Sequence, residues 1–295
     1  TSCTSTEVRV LRARAVFVAI LGIGVVVALI AGGVVLWSSY NKAPLPIEDR
    51  CVATAGGNTT TIDPEQARNA AVIAGMSIER GLAPRAASIA LTTAYQESGI
   101  RNLDHGHADS IGLFQQRPSK GWGTIEQIMD PWYSTREFYR AMERVKNWRT
   151  RDINDVAQAV QRSAYPEAYR RHETNARTLA SALTGETPAS FTCVVNAPKP
   201  GDPDAMATFL KKTLGADTVT TDSLDGTLTV KVGNAAQAWA VAHLAIATTA
   251  DFGLVSAQVG PYGWTHSTTS LASWQGTGPS TATEVRLVFS TATPR

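Results

Sequence analysis

A chain of 295 residues, 43% hydrophobic and 18% charged, is long enough for two domains with cores of their own. Its 27 basic and 25 acidic residues leave a net charge of +2, which gives no reason to expect nucleic acid as a partner.

The first element in chain order is the uncharged run AVFVAILGIGVVVALIAGGVVLW, residues 15–37, long enough to cross a hydrocarbon core of about 30 Å as one helix. No small-x-small exit follows it, so it is expected to be an uncleaved single-pass anchor rather than a signal peptide. Arg9, Arg12 and Arg14 precede it, and the positive-inside rule makes residues 1–14 cytoplasmic and the rest of the chain external to the cell membrane. A polar spacer, residues 38–50, comes next. In that oxidising setting Cys51 and Cys193, in the similar contexts RCVAT and FTCVV, are expected to pair as a disulfide; two buried thiols are the alternative.

Residues 51–195 read as a mostly helical domain. Asp63 as N-cap, Pro64 at the first helical position and a stop at Gly81 bound one helix, and Pro84 and Gly99 bound the next. A long polar loop runs to Gly123, and helices are expected over 124–128, 133–145, 153–164 and 166–183. The segment NAPKPGDPD, residues 196–204, is taken as an interdomain linker. Beyond it, residues 205–295 combine two helical patterns with the alternating strands GTLTVKVG, LVSAQVG and TEVRLVFS, a small α/β domain of unknown role. The whole is expected to be α+β with an N-terminal transmembrane helix.

The residue that breaks the pattern is Glu97. The apolar stripe of the 84–98 helix runs through Ala86, Ile89, Ala90, Thr93 and Ala94, and the next position on that face is Glu97. It lies in the last turn, where the helix dipole disfavours an anion. Desolvation and the dipole both push such a carboxyl to hold its proton towards neutral pH, as an acid catalyst of glycosidic cleavage must. A structural carboxylate is the bland alternative.

The stretch QESG, followed after a loop by SIGLFQQRP and later by IMDPWYSTREFYRAM, resembles the lysozyme-like lytic transglycosylases, a group that includes the soluble lytic transglycosylases and goose-type lysozymes. The resemblance covers residues 51–193, with Phe114 where the family carries methionine. It implies a peptidoglycan-directed glycosidase that cleaves the MurNAc-GlcNAc bond, with Glu97 as single catalytic acid and base and Ser98, Ser110, Gln115 and Gln116 shaping the sugar site. It implies peptidoglycan glycan strands as partner and no cofactor. The family's tyrosine near the catalytic acid falls on Gln161 in AVQRSAYP, leaving Tyr165 as the nearby hydroxyl. Asp104 and Asp109 are the candidates for a second carboxylate that would turn the reaction into hydrolysis.

His105 and His107 lack a third ligand at a familiar spacing, so no metal is expected. Most of Trp122, Trp132, Tyr133, Tyr139 and Trp148 are expected in the core, with one or two in the groove. Arg136, Arg140 and Arg144 repeat at i+4 as a basic stripe, read as a solvated face, with anionic wall polymers the alternative. The competing function is a non-catalytic glycan binder or scaffold within a membrane-bound, envelope-spanning secretion or conjugation assembly.

Overall fold

The computed structural model describes residues 21–35, 37, 47–163, 165 and 167–290. The expected cytoplasmic residues 1–14, residues 15–20 and 36 of the expected anchor and residues 38–46 of the spacer lie outside them. The chain divides into two compact units, residues 1–46 and 47–295.

In the first unit, the described residues 21–35 and 37 are helical and belong to helix α1. Among the described residues no helix is long and apolar enough to cross a membrane. This corrects the expected transmembrane helix, and with it the single-pass membrane localisation.

The second unit is α+β. Strands β1 (Arg50–Ala55), β2 (Asn58–Ile62) and β3 (Phe191–Val194) form an antiparallel sheet in the order β2-β1-β3. Cys51 stands opposite Cys193 in the β1–β3 register, and the two are joined as a disulfide spanning 142 positions. In the chain-entropy account such a bond stabilises by about 3 to 5 kcal/mol.

Helix α2 (Pro64–Glu79) begins with a complete capping box between Asp63 and Gln66 and with Pro64 at its first position. Helix α3 (Pro84–Ser98) ends at Gly99, whose φ of 63° is the left-handed conformation that glycine adopts without cost. Helices α4 (Ile125–Met129), α5 (Pro131–Glu143), α6 (Ile153–Gln161) and α7 (Glu173–Leu183) complete the first half. Helices α8 (Pro203–Leu214), α9 (Ala235–Ala247) and α10 (Thr249–Phe252) pack with a second sheet, order β4-β5-β8-β6-β7. Its strands are Thr220–Leu224, Thr227–Lys231, Leu254–Val259, Tyr262–Thr265 and Glu284–Phe289, paired antiparallel throughout.

One hydrophobic core runs through both halves. Gly75 of α2 lies so close to Thr213 of α8 and Leu244 of α9 that a Cβ there would collide with both side chains, and Gly185 sits against the backbone of Ala236 and Ala240. The indole N–H groups of Trp132, Trp264 and Trp274 donate across the seam, to Thr213 Oγ1, Thr192 Oγ1 and the Phe191 carbonyl. Segment 195–202 is tied down along its length: the Asn196 amide donates to Asp49, Lys199 N–H to Ala250 and Asp202 N–H to Phe252.

Candidate active site

Glu97 stands in the last turn of α3, half-buried, one residue before the helix ends. The chain beyond it is held from α2: the Gln66 side-chain amide donates to the Gly99 carbonyl at 2.8 Å and that of Asn69 to the Ile100 carbonyl at 2.9 Å. The Ser98 hydroxyl donates to the Leu113 carbonyl at 2.7 Å, fastening the GLF segment to the end of α3. That segment is a tight loop closed by paired backbone hydrogen bonds between Ile111 and Gln116. Buried Phe114 stacks on Phe138 of α5 with ring centroids 4.4 Å apart. These contacts turn a polar loop into a wall beside the carboxyl.

Burial pushes the Glu97 carboxyl above its ordinary range, and hydrogen bonds from Tyr169 and Gln161 oppose that shift. The Tyr169 hydroxyl, itself buried, donates to Glu97 Oε1 at 2.6 Å. Loss of water around Tyr169 and the adjacent carboxylate both raise its own pKa, so it stays a donor across the physiological range. Gln161, at the end of α6, donates through Nε2 to the Phe114 carbonyl at 2.7 Å, joining α6, the GLF wall and the acid. On the rim, His172 stacks on Tyr95 and its ring nitrogen lies 3.2 Å from Gln96 Oε1, which also accepts from Arg171.

The residues expected at this site divide into three groups. Glu97 and Ser98 are at the helix end. Gln115 adopts a left-handed conformation and donates to the His105 and Gly112 carbonyls, while Gln116 is buried and donates to Ser134 of α5, so both brace the loop. Ser110 is buried in the same loop, its N–H bound to the His107 carbonyl. Tyr165 stands apart at 75% exposure, and the hydroxyl on the acid belongs to Tyr169 four residues on. The sequence carries a signal for this, since the dipeptide Ala-Tyr occurs twice in SAYPEAY, and the second copy stands just before the short turn Arg170–His172 that leads into α7, which packs on α3.

Neither candidate for a second carboxylate is poised as a base. Asp109 accepts from Arg117 Nε at 2.6 Å and from the Ser119 N–H at 2.8 Å, and these donors hold it well below the usual carboxylate range. Asp104 is exposed and paired with His105 Nδ1, which lowers it as well. A carboxylate held ionised this firmly accepts a proton poorly. Among the described residues no cluster of three His, Cys, Asp or Glu side chains could hold a metal. Tyr139 and Trp148 are core residues, Trp132 packs against Phe209, and Trp122 and Tyr133 are half-buried.

A cavity of about 560 Å³ opens at the opposite end of α3, beside Pro84, Arg85 and Arg177. It does not include Glu97, which stands at the other end of the helix. No family model matches the chain, and no curated protein matches it.

Proposed function

We propose that the protein is a peptidoglycan-directed lytic transglycosylase or related muramidase that cleaves the MurNAc-GlcNAc bond with Glu97 as its one acid and base. The observation that carries this reading is the half-buried carboxyl at the end of α3, raised by desolvation and receiving the Tyr169 hydroxyl. With Oε1 taken by that hydroxyl, the transferable proton belongs on Oε2. Protonated Glu97 gives this proton to the glycosidic oxygen as the bond to C1 of the muramic acid breaks. The carboxylate left behind then takes the proton of the sugar's own C6 hydroxyl as its oxygen bonds to C1. One glycosidic bond is exchanged for another, no water is consumed and Glu97 ends protonated.

The low-lying states of Asp104 and Asp109 support the intramolecular route over hydrolysis. Gln161 at the family's tyrosine position favoured a non-catalytic binder or scaffold, and the Tyr169 hydroxyl supports the catalytic reading instead. Digestion of purified glycan strands followed by mass spectrometry tests it. The expected product ends in 1,6-anhydro-muramic acid, lighter by one water than a hydrolysed end. Only reducing ends would make it a hydrolase, and intact strands would leave the binder.

A further inference from the structure

Among the described residues a run of unbalanced positive charge lies along α5 and the turn after it. Between residues 136 and 151 stand Arg136, Arg140, Arg144, Lys146, Arg149 and Arg151, all exposed, against only Glu137 and Glu143. Each nearby acid is already matched: Glu137 by Arg140 at 2.8 Å, Glu143 by Arg80 of the α2 terminus, and Asp155 of α6 by Arg151 at 3.8 Å. Arg136, Arg144, Lys146 and Arg149 are left, and among the described residues none of them makes an ion pair. Four unmatched cations on α5 and the turn after it are twice the net charge of +2 carried by the whole chain. Concentrating charge in this way costs mutual repulsion, which an anionic partner relieves.

We propose that this face is a docking surface for a base-free, anionic phosphodiester polymer of the polyol-phosphate kind, separate from the groove at Glu97. Positions i, i+4 and i+8 of a helix project from one side at intervals of about 6 Å, so Arg136, Arg140 and the C-cap Arg144 form a row, and Lys146 and Arg149 stand in the turn that follows it. A row of evenly spaced point charges suits a chain with one anion per repeat, and guanidinium groups suit phosphate oxygens. The large apolar side chains exposed in the second unit, Ile125, Tyr165, Leu224 and Val255, all fall outside 136–151, so the face lacks the apolar anchors of a membrane-inserting surface. Its one tryptophan, Trp148, is buried, with the Arg149 guanidinium 4.5 Å over its ring, so no aromatic platform is presented for stacking nucleobases.

Binding of a synthetic poly(glycerol phosphate) oligomer to the full chain, followed between about 50 and 200 mM salt, tests this. Affinity should fall steeply with salt. In the variant R136Q/R144Q/K146Q/R149Q it should be at least about tenfold weaker at the lower salt, with a log–log slope shallower by about 3, at roughly 0.7 per lost charge. The charge-keeping variant R136K/R144K/R149K should restore most of the binding, which separates charge from any change in fold. No binding by the wild type, or equal binding by the glutamine variant, overturns the proposal. So does tighter binding to phosphatidylglycerol vesicles or oligothymidylate than to the polymer. Cleavage of polymer-free glycan strands should be the same in wild type and glutamine variant; absence of cleavage in both would remove the proposed activity and leave this result standing.

Discussion

His243 and Glu97 are both pushed towards their neutral forms by burial, and their surroundings differ. His243, on α9, is fully enclosed: Nδ1 donates to the Ala182 carbonyl at 2.7 Å, Nε2 accepts the Ser190 N–H at 3.4 Å, and burial takes its pKa down to about 4. Both ring nitrogens are occupied by backbone, so the imidazole is a fixed joint between α7, β3 and α9. Glu97 is half-open, and one of its oxygens is taken by Tyr169. Desolvation therefore does not mark a catalytic group by itself. Partial exposure of the carboxyl, beside a shifted pKa, is the distinguishing feature.

The sharpest test of that contrast is Glu97→Gln. Glycan cleavage should fall by about 10² to 10⁴, the range for removing an acid–base group, while the Tyr169 hydroxyl keeps an oxygen to donate to. The folded pKa of Glu97 is raised, so its ionised form weakens the fold; that penalty is absent below the unfolded pKa of about 4.3 and grows as the pH rises towards the folded value. The variant should melt no lower than wild type, and its advantage should be larger at pH 8 than at pH 4. A variant that cleaves at the wild-type rate, or one strongly destabilised at neutral pH, would return Glu97 to the structural class of His243.

Reduction of Cys51–Cys193 acts on neither group and should cost about 3 to 5 kcal/mol, read as a drop in the denaturant midpoint. Next in size is His243. Its folded pKa is depressed from 6.5 to about 4, so its stabilising share is complete above 6.5 and is lost as pH falls through that window, roughly 3 kcal/mol in all. Unfolding free energies at pH 7 and pH 4 should differ by that amount more in wild type than in His243→Leu, with cleavage per folded molecule unchanged. An equal pH dependence in both proteins would show that the buried imidazole is not the acid-sensitive joint.

The smallest effect is expected from Tyr169→Phe. It removes a hydrogen bond that favours the carboxylate, so the Glu97 pKa should rise further and the alkaline limb of the kcat/KM profile should move to higher pH. The rate at the optimum should fall by about tenfold, the worth of one hydrogen bond to a charged group. Tyr165→Phe should change neither, since that ring stands in solvent.

Much of the scaffold around Glu97 was legible because its punctuation is chemical: Asp63 and Pro64 start α2, Pro84 starts α3 and Gly99 ends it. The hairpin of β1 and β2 was missed although Gly56 and Gly57 mark its turn. Its inward residues Cys51, Ala53 and Ala55 are too small for their alternation to stand out. The tyrosine was misplaced because α6 stops at Gln161, where Arg162 turns left-handed at φ 53°, and not at Ala164. The chain then regains regular α-helix only at Glu173, which brings the later tyrosine to the acid. The continuous core escaped notice because its seam is made of Gly75, Gly185, Ala236 and Ala240, whose small side chains carry little periodic signal.

That seam bears on how the protein can be dissected and inherited. A cut within 196–204, the natural place to separate the half carrying Glu97 for expression, would strip Thr213 and Leu244 from α2 and leave the indole partners Thr192 and Phe191 without their donors. The released fragment would present a freshly opened core face to solvent and tend to precipitate. A screen of such fragments would score the loss of soluble material as loss of function. For the same reason, genetic exchange that replaces one half without co-adapting the other is selected against, and the two halves should travel together through any lineage that keeps this chain.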